Sequence, residues 1–308
     1  MSKVSRSPRH RLRFRSLPLL AGVMMLAGAG WASAAAGTGD PCLSLATAPR
    51  SELLIHVPFE TVEGRIYVRA RVNGGGEHRF AVDTGASGMA RADARLTSAL
   101  NLPLAGHSGN SDGVQTQVAQ TVRIDALELD GLRREGVEAI TRDYRAKLSD
   151  EAAFDGILAR DFFADGLLVI DYPAKTLSFS RALSLSHDQP GVLAYTRAFR
   201  VPVRIGGRAL EGNLDTGANV ALVLPRTLYD QIEAGPLAEA GAGQLSHTSI
   251  ALDKAIVHGP VQIGALVLRD VDARVSERFP ELLVGALALK DSVLMIDQRS
   301  RSVAVCKP

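Results

Sequence analysis

Apolar residues along this chain recur mainly at every second position, the period of half-buried strands, and the strands they predict fall into two ordered series. In the first, Ile66, Val68, Ala70 and Val72 alternate into the turn Asn73-Gly74-Gly75-Gly76. A return run, Phe80-Ala81-Val82, then leads to Asp83-Thr84-Gly85-Ala86. In the second, Val201, Val203 and Ile205 run into Gly206-Gly207, and Leu210 to Leu214 lead to Asp215-Thr216-Gly217-Ala218. Each series predicts a β-hairpin whose return strand ends in the same four residues.

The parallel continues downstream. Ile124 to Leu129 is matched by Ile263 to Leu268, both with alternating apolar positions around an Ala-Leu pair. Phe154-Asp155-Gly156-Ile157-Leu158 is matched by Leu283-Val284-Gly285-Ala286-Leu287, which pairs Gly156 with Gly285. Each series closes on a strand ending in aspartate, Leu168 to Asp171 or Leu294 to Asp297, followed by Leu177 and Phe179 or Val303 and Val305. Helical periodicity is confined to Ala92 to Leu100, part of Tyr144 to Ala153, and Thr227 to Ala234. An all-β protein of two similar lobes follows, with lobes at 53–181 and 193–308, a polar linker at 182–192 and a leader at 37–52.

Composition changes this picture at one place. Lys3, Arg6, Arg9, Arg11, Arg13 and Arg15 precede an apolar run from Leu17 to Trp31 and then small residues to Ala36, the pattern of an export signal over residues 1–36. The apolar run is shorter than the roughly 20 residues a membrane span needs, which favours cleavage over a retained anchor. The whole chain carries +2, and those 36 residues contain six basic and no acidic side chains, so the remainder carries −4. No basic cluster remains for nucleic acid. The expectation is an exported protein, periplasmic or secreted, with no stable membrane association after cleavage. In an oxidising compartment Cys42 and Cys306 would be a disulfide, with Cα atoms within about 7 Å, or else two unrelated thiols.

The candidate chemistry lies in the two Asp-Thr-Gly triplets. Asp supplies a titratable group, Gly lets the backbone turn sharply and approach a partner, and Thr offers a hydroxyl to brace the turn. Two carboxylates about 3 Å apart cannot both ionise cheaply, so a pair can hold one proton, one member activating water while the other protonates a carbonyl oxygen. Such a pair needs neither metal nor cofactor, and none is expected.

On these residues the chain resembles the retropepsin-like and pepsin-like aspartic proteases, from about Leu53 to Val305, with a close resemblance to the bacterial retropepsin-like branch. The resemblance implies that Asp83 and Asp215 activate water, that Thr84, Gly85, Thr216 and Gly217 support the two loops, and that the glycine motifs at Gly156 and Gly285 pack beneath them. Two copies in one chain imply lobes about a pseudo-twofold axis, a pair formed within a monomer, and a polypeptide substrate with apolar residues preferred. Hairpins over the cleft are expected at Gly106 to Gly113 and at Gly241 to Gly243. No tyrosine lies between Asp83 and Val122, and Ala159 stands where relatives often have a second glycine.

Three other readings fit parts of the chain. Gly109-Asn110-Ser111-Asp112-Gly113 has the spacing of a serine nucleophile turn, but no apolar strand enters it and no helical pattern follows, so it reads as a polar loop. A non-catalytic binding or interaction protein on the same duplicated fold would keep the strands and lose the alignment of the aspartates. A dimer of such chains could form its carboxylate pairs between molecules. The histidines are scattered singly and suggest no metal site.

Overall fold

The computed structural model describes residues 40–42 and 49–307; the export signal expected over residues 1–36 and much of the expected leader lie outside the described residues. The chain is mostly β, as its alternation predicts, with few short helices.

The first hairpin shows how the pattern folds. Along Arg65–Val72, Ile66, Val68, Ala70 and Val72 are buried on one face while Arg69 and Arg71 point to solvent. Asn73 and Gly74 take left-handed backbone angles, and the chain returns along Glu77–Asp83. In the second hairpin, Arg200–Ile205 turns through Gly206 and Gly207, both left-handed, into Arg208–Asp215. A two-residue turn of that hand matches the natural twist of paired strands.

Each hairpin opens a larger sheet. Eight strands, all between Glu60 and Arg142 except Gly156–Ala159, form the first sheet, which closes on itself where Arg65–Val72 also pairs with Thr116–Leu129. Nine strands between Arg200 and Gly285 form the second. A third, six-stranded sheet takes Ile55–Pro58, Thr176–Ser180 and Leu167–Asp171 together with Val293–Asp297, Ser302–Cys306 and Leu193–Ala194. Its seam is antiparallel, from Leu167 opposite Asp297 to Asp171 opposite Val293. Phe80, Phe162, Phe163, Phe179 and Phe199 are fully buried in one continuous core, each contributing roughly 1.5–3 kcal/mol by removal from water.

The helices are shorter than the periodicity suggested. Ala94–Ala99 begins two residues late because Ala90–Asp93 is a strand, and Asp93 caps the helix by accepting from the Arg95 amide at 2.9 Å. Arg226–Tyr229 makes a single turn, and the stretch after Tyr144 supplies only a 3-10 turn at Arg145–Lys147. Segment 182–192 forms no strand, yet it is packed: Leu185 is buried and its amide donates to Asp297 Oδ2 at 3.2 Å. Cys42 and Cys306 form a disulfide with Cα atoms 5.7 Å apart.

Candidate active site

Asp83 and Asp215 each end a hairpin strand that pairs in parallel with a short buried strand. Glu77–Asp83 lies beside Gly156–Ala159, with Asp83 opposite Ala159; Arg208–Asp215 lies beside Leu282–Gly285, with Asp215 opposite Gly285. The residue opposite each aspartate donates its amide to the carbonyl six residues past that aspartate, Met89 or Ala221. The next amide, of Arg160 or Ala286, donates to the carbonyl three residues past it, Ala86 or Ala218.

These registers correct the sequence alignment of the glycines. The counterpart of Gly285 is Ala159, and Gly156 lies three residues earlier. Gly285 has to be glycine because a Cβ there would collide with the Val220 carbonyl oxygen and stand 2.9 Å from that of Ala218. Gly156 answers a different demand: a Cβ would run into the Phe80 ring and stand 2.6 Å from the Arg91 carbonyl oxygen.

The two threonines tie the loops together. The amide of Thr84 donates to Thr216 Oγ1 at 3.1 Å and the amide of Thr216 donates to Thr84 Oγ1 at 3.1 Å. Each hydroxyl then donates across to a carbonyl, Thr84 to Leu214 at 3.2 Å and Thr216 to Val82 at 2.8 Å. Both side chains are fully enclosed, and losing one hydroxyl would strand a buried donor or acceptor at about 1–3 kcal/mol. The glycines let the carboxylates approach: a Cβ on Gly85 would stand 2.5 Å from Asp215 Cγ, and one on Gly217 would collide with Asp83 Cγ.

Asp83 Oδ1 accepts from the Ala86 amide and Asp215 Oδ1 from the Gly217 amide, both at 2.9 Å. Burial first, and then the charge of Asp83, raise the proton affinity of Asp215 well above the ordinary carboxylate range. The Gly217 amide opposes that rise, and a hydrogen bond with the Asp83 side chain adds to it. Arg65, from the first hairpin, donates to the Gly217 carbonyl at 2.9 Å and to Glu63 at 3.0 Å, and Glu63 accepts from Asn219 at 3.2 Å.

Two side-chain clusters flank the loops. One contains Tyr67, Ala81, Ala86, Phe154, Ile157 and Ala159, with Tyr144 and Leu148 packed against it. The other contains Val223, Ile250, Phe279 and Leu283, with Val114, Ala218 and Val220.

Both glycine-rich segments lie on β-hairpins, Leu104–Ser111 with Thr116–Leu129 and Ala238–Gln244 with Ser249–Val257, and their tips meet. Asp112 accepts from its own Val114 and Gln115 amides at 3.0 and 2.8 Å, and from His247 and Thr248 of the other hairpin at 3.1 and 2.9 Å. Arg142 Nη1 lies 2.8 Å from His247 Nδ1, and His247 Nε2 lies 2.9 Å from the Asn110 carbonyl oxygen and 3.2 Å from Asn110 Nδ2. Ser111 lies at a hairpin tip, where its Oγ accepts from the Gly113 amide at 3.2 Å, and it has no elbow geometry. Sequence reasoning had not singled out Arg65, Arg91, Asp112, Tyr144 or His247. Their places rest on pairings distant in sequence, such as Arg91 with Ile157 and Arg65 with the Gly217 carbonyl, which no local pattern encodes.

Residues 68–162 match the family model of the aspartyl proteases, a stretch that includes Asp83 and its partner strand. Among curated proteins, none matches the chain.

Proposed function

We propose that this protein is an exported aspartic endopeptidase in which Asp83 and Asp215 act as one pair on a water molecule. The observation that carries the reading is the reciprocal exchange between Thr84 and Thr216, which brings the two Asp-Thr-Gly turns together within a single chain. The match of residues 68–162 to the aspartyl proteases supports the same class.

The pair holds one proton, drawn to Asp215 because burial and the neighbouring charge favour its neutral form. Water between the carboxyls loses a proton to the ionised member as it attacks the peptide carbonyl. The protonated member donates to the carbonyl oxygen, and the tetrahedral product collapses with transfer of a proton to the leaving nitrogen. Shared-proton catalysis of this kind is a known pattern for paired carboxylates. The two halves act as lobes at 53–181 and 193–308 about a pseudo-twofold axis, with Thr84, Gly85, Thr216 and Gly217 holding the carboxylates in place. A monomer suffices on this reading, since the threonine exchange is intramolecular.

The mature protein is expected to cleave an unfolded polypeptide and to be blocked by a statine-type transition-state mimic. Asp83→Asn and Asp215→Asn are each expected to lower turnover about 10²–10⁴-fold, the size of an acid–base contribution. Wild-type turnover in either single variant would sink the shared pair, and no cleavage by the wild-type protein would favour a non-catalytic binding role.

A further inference from the structure

The two clusters beside the aspartates are built on matching positions but differ in one residue. Arg91 lies eight residues past Asp83 and pairs with Ile157; Val223 lies eight past Asp215 and pairs with Leu283. Ile157 and Leu283 each precede by two the residue opposite the aspartate. Where the second half has a valine among Ile250, Phe279 and Leu283, the first half therefore has a guanidinium.

Arg91 is only 6% exposed, and no carboxylate lies within ion-pair distance of it among the described residues. Its Nη2 donates to Asn110 Oδ1 at 3.0 Å, while Nη1 is buried with no hydrogen-bond partner. The hydroxyl of Tyr144 is likewise buried and unpartnered. Tyr144 packs against Phe154 in the cluster that includes Ala86, whose amide holds the Asp83 carboxylate. Burial raises the pKa of Tyr144, while the charges of Arg91 and Arg142 and the Arg91 guanidinium beside the hydroxyl lower it and the charge of Asp83 raises it, so the two unpartnered groups stand next to each other. A buried guanidinium without a counter-charge costs several kcal/mol, and one amide oxygen answers only one of its five donors. A carboxylate would supply both the missing charge and two acceptors.

We propose that Arg91 and Tyr144 form a subsite for an acidic side chain of the polypeptide substrate, on the first-half side of the cleft, a reading that rests on the proposed protease function. Asn110 lies on the strand Leu104–Ser111, so lifting that hairpin to admit a chain uncovers the guanidinium. The incoming carboxylate then accepts from Nη1 and the tyrosine hydroxyl. The apolar counterpart around Val223 takes an uncharged side chain, so the cleft is asymmetric in charge.

The test compares C-terminally amidated peptides that differ only by Glu or Gln, placed in turn at each position around the cut. For the wild-type protein we expect kcat/KM to favour Glu over Gln by about tenfold or more at one position, the range of a charge-assisted hydrogen bond. In Arg91→Gln the ratio should fall to about one, and in Tyr144→Phe to an intermediate value. If Arg91→Gln does not fold, the wild-type ratio decides: a value near one at every position overturns the proposal. In a parallel set of the same peptides with free carboxyl ends, preference for the free C-terminus over an internal Glu would overturn the side-chain assignment. Should no aspartate-dependent cleavage exist, calorimetric binding of the same peptides to Asp215→Asn separates the two claims. There, tighter binding of the Glu peptide upholds the subsite and equal affinities overturn it.

Discussion

The flanks of the two Asp-Thr-Gly turns share a register and differ in chemistry. Around Asp215 the flank is apolar and closed by Phe279, which also lies under Gly113 of the opposite hairpin. Around Asp83 it carries Arg91 and Tyr144 with unpartnered polar atoms, and Arg79 lies 3.9 Å over the Tyr67 ring. The loops that hold the carboxylates are thus conserved in form between the halves, while the surfaces beside them are not. What must be alike is the geometry that brings two carboxylates together; what lies alongside is free to differ, and there selectivity can be built.

The strongest way to break this comparison is to make the second flank resemble the first. Val223→Arg would bury a guanidinium against Ile250, Phe279 and Leu283 with neither an Asn110 nor a Tyr144 to receive it. We expect a loss of roughly 3–5 kcal/mol in urea unfolding. A tolerated arginine would mean that the polar setting of Arg91 is not what accommodates it.

The partner strands offer a smaller contrast. Gly285→Ala should cost roughly 3 kcal/mol because the new methyl meets backbone carbonyls that cannot move aside. The reverse change at the matching position, Ala159→Gly, should cost only about 1 kcal/mol through added backbone freedom. Equal shifts in urea midpoint would show that the register match is not the relevant one.

The smallest effect concerns the hairpin tips. Burial opposes the charge on Asp112, but the amides of Gln115, Val114 and His247 and the hydroxyl of Thr248 outweigh it and bring its pKa from 3.8 to about 2. A carboxylate with a folded pKa below its unfolded value contributes stability that is fully present above the unfolded pKa and is lost as pH falls through the folded one. The tips should therefore keep their amide-exchange protection above about pH 4 and lose part of it toward pH 2. Asp112→Asn should show lower protection above pH 4 and little change across that window; a profile identical to wild type would remove Asp112 from the contact.

Much of this was legible in the chain itself. Period-two alternation located both hairpins, and the repeated triplets marked the aspartates, because strand faces and turn glycines leave local traces. The partner of Gly285 was misread because Phe154 to Leu158 imitates Leu283 to Leu287 in local pattern, while the true match has alanine where glycine was sought. The helices came out short because strand pairing took Ala90–Asp93 from the first of them. Arg91 was overlooked because an arginine in a short alternating stretch reads as a solvent-facing residue. Only its pairing with Ile157 reveals its side of the sheet. The bonds from Asp112 to His247 and Thr248 span about 135 residues, and no local pattern encodes them.

The six-stranded sheet has a kinetic consequence. Its seam joins Leu167 to Asp297, about 130 residues apart, so it cannot nucleate locally and has to wait for most of the chain to be organised. Long-range pairings of this kind make folding slow. Rupture of the seam parts strands whose neighbours are already packed on either side. To the extent that the seam forms late on the way in, interactions added along it would slow unfolding more than they hasten folding. An added contact along this seam therefore acts on the lifetime of the folded state more than on the speed of its assembly.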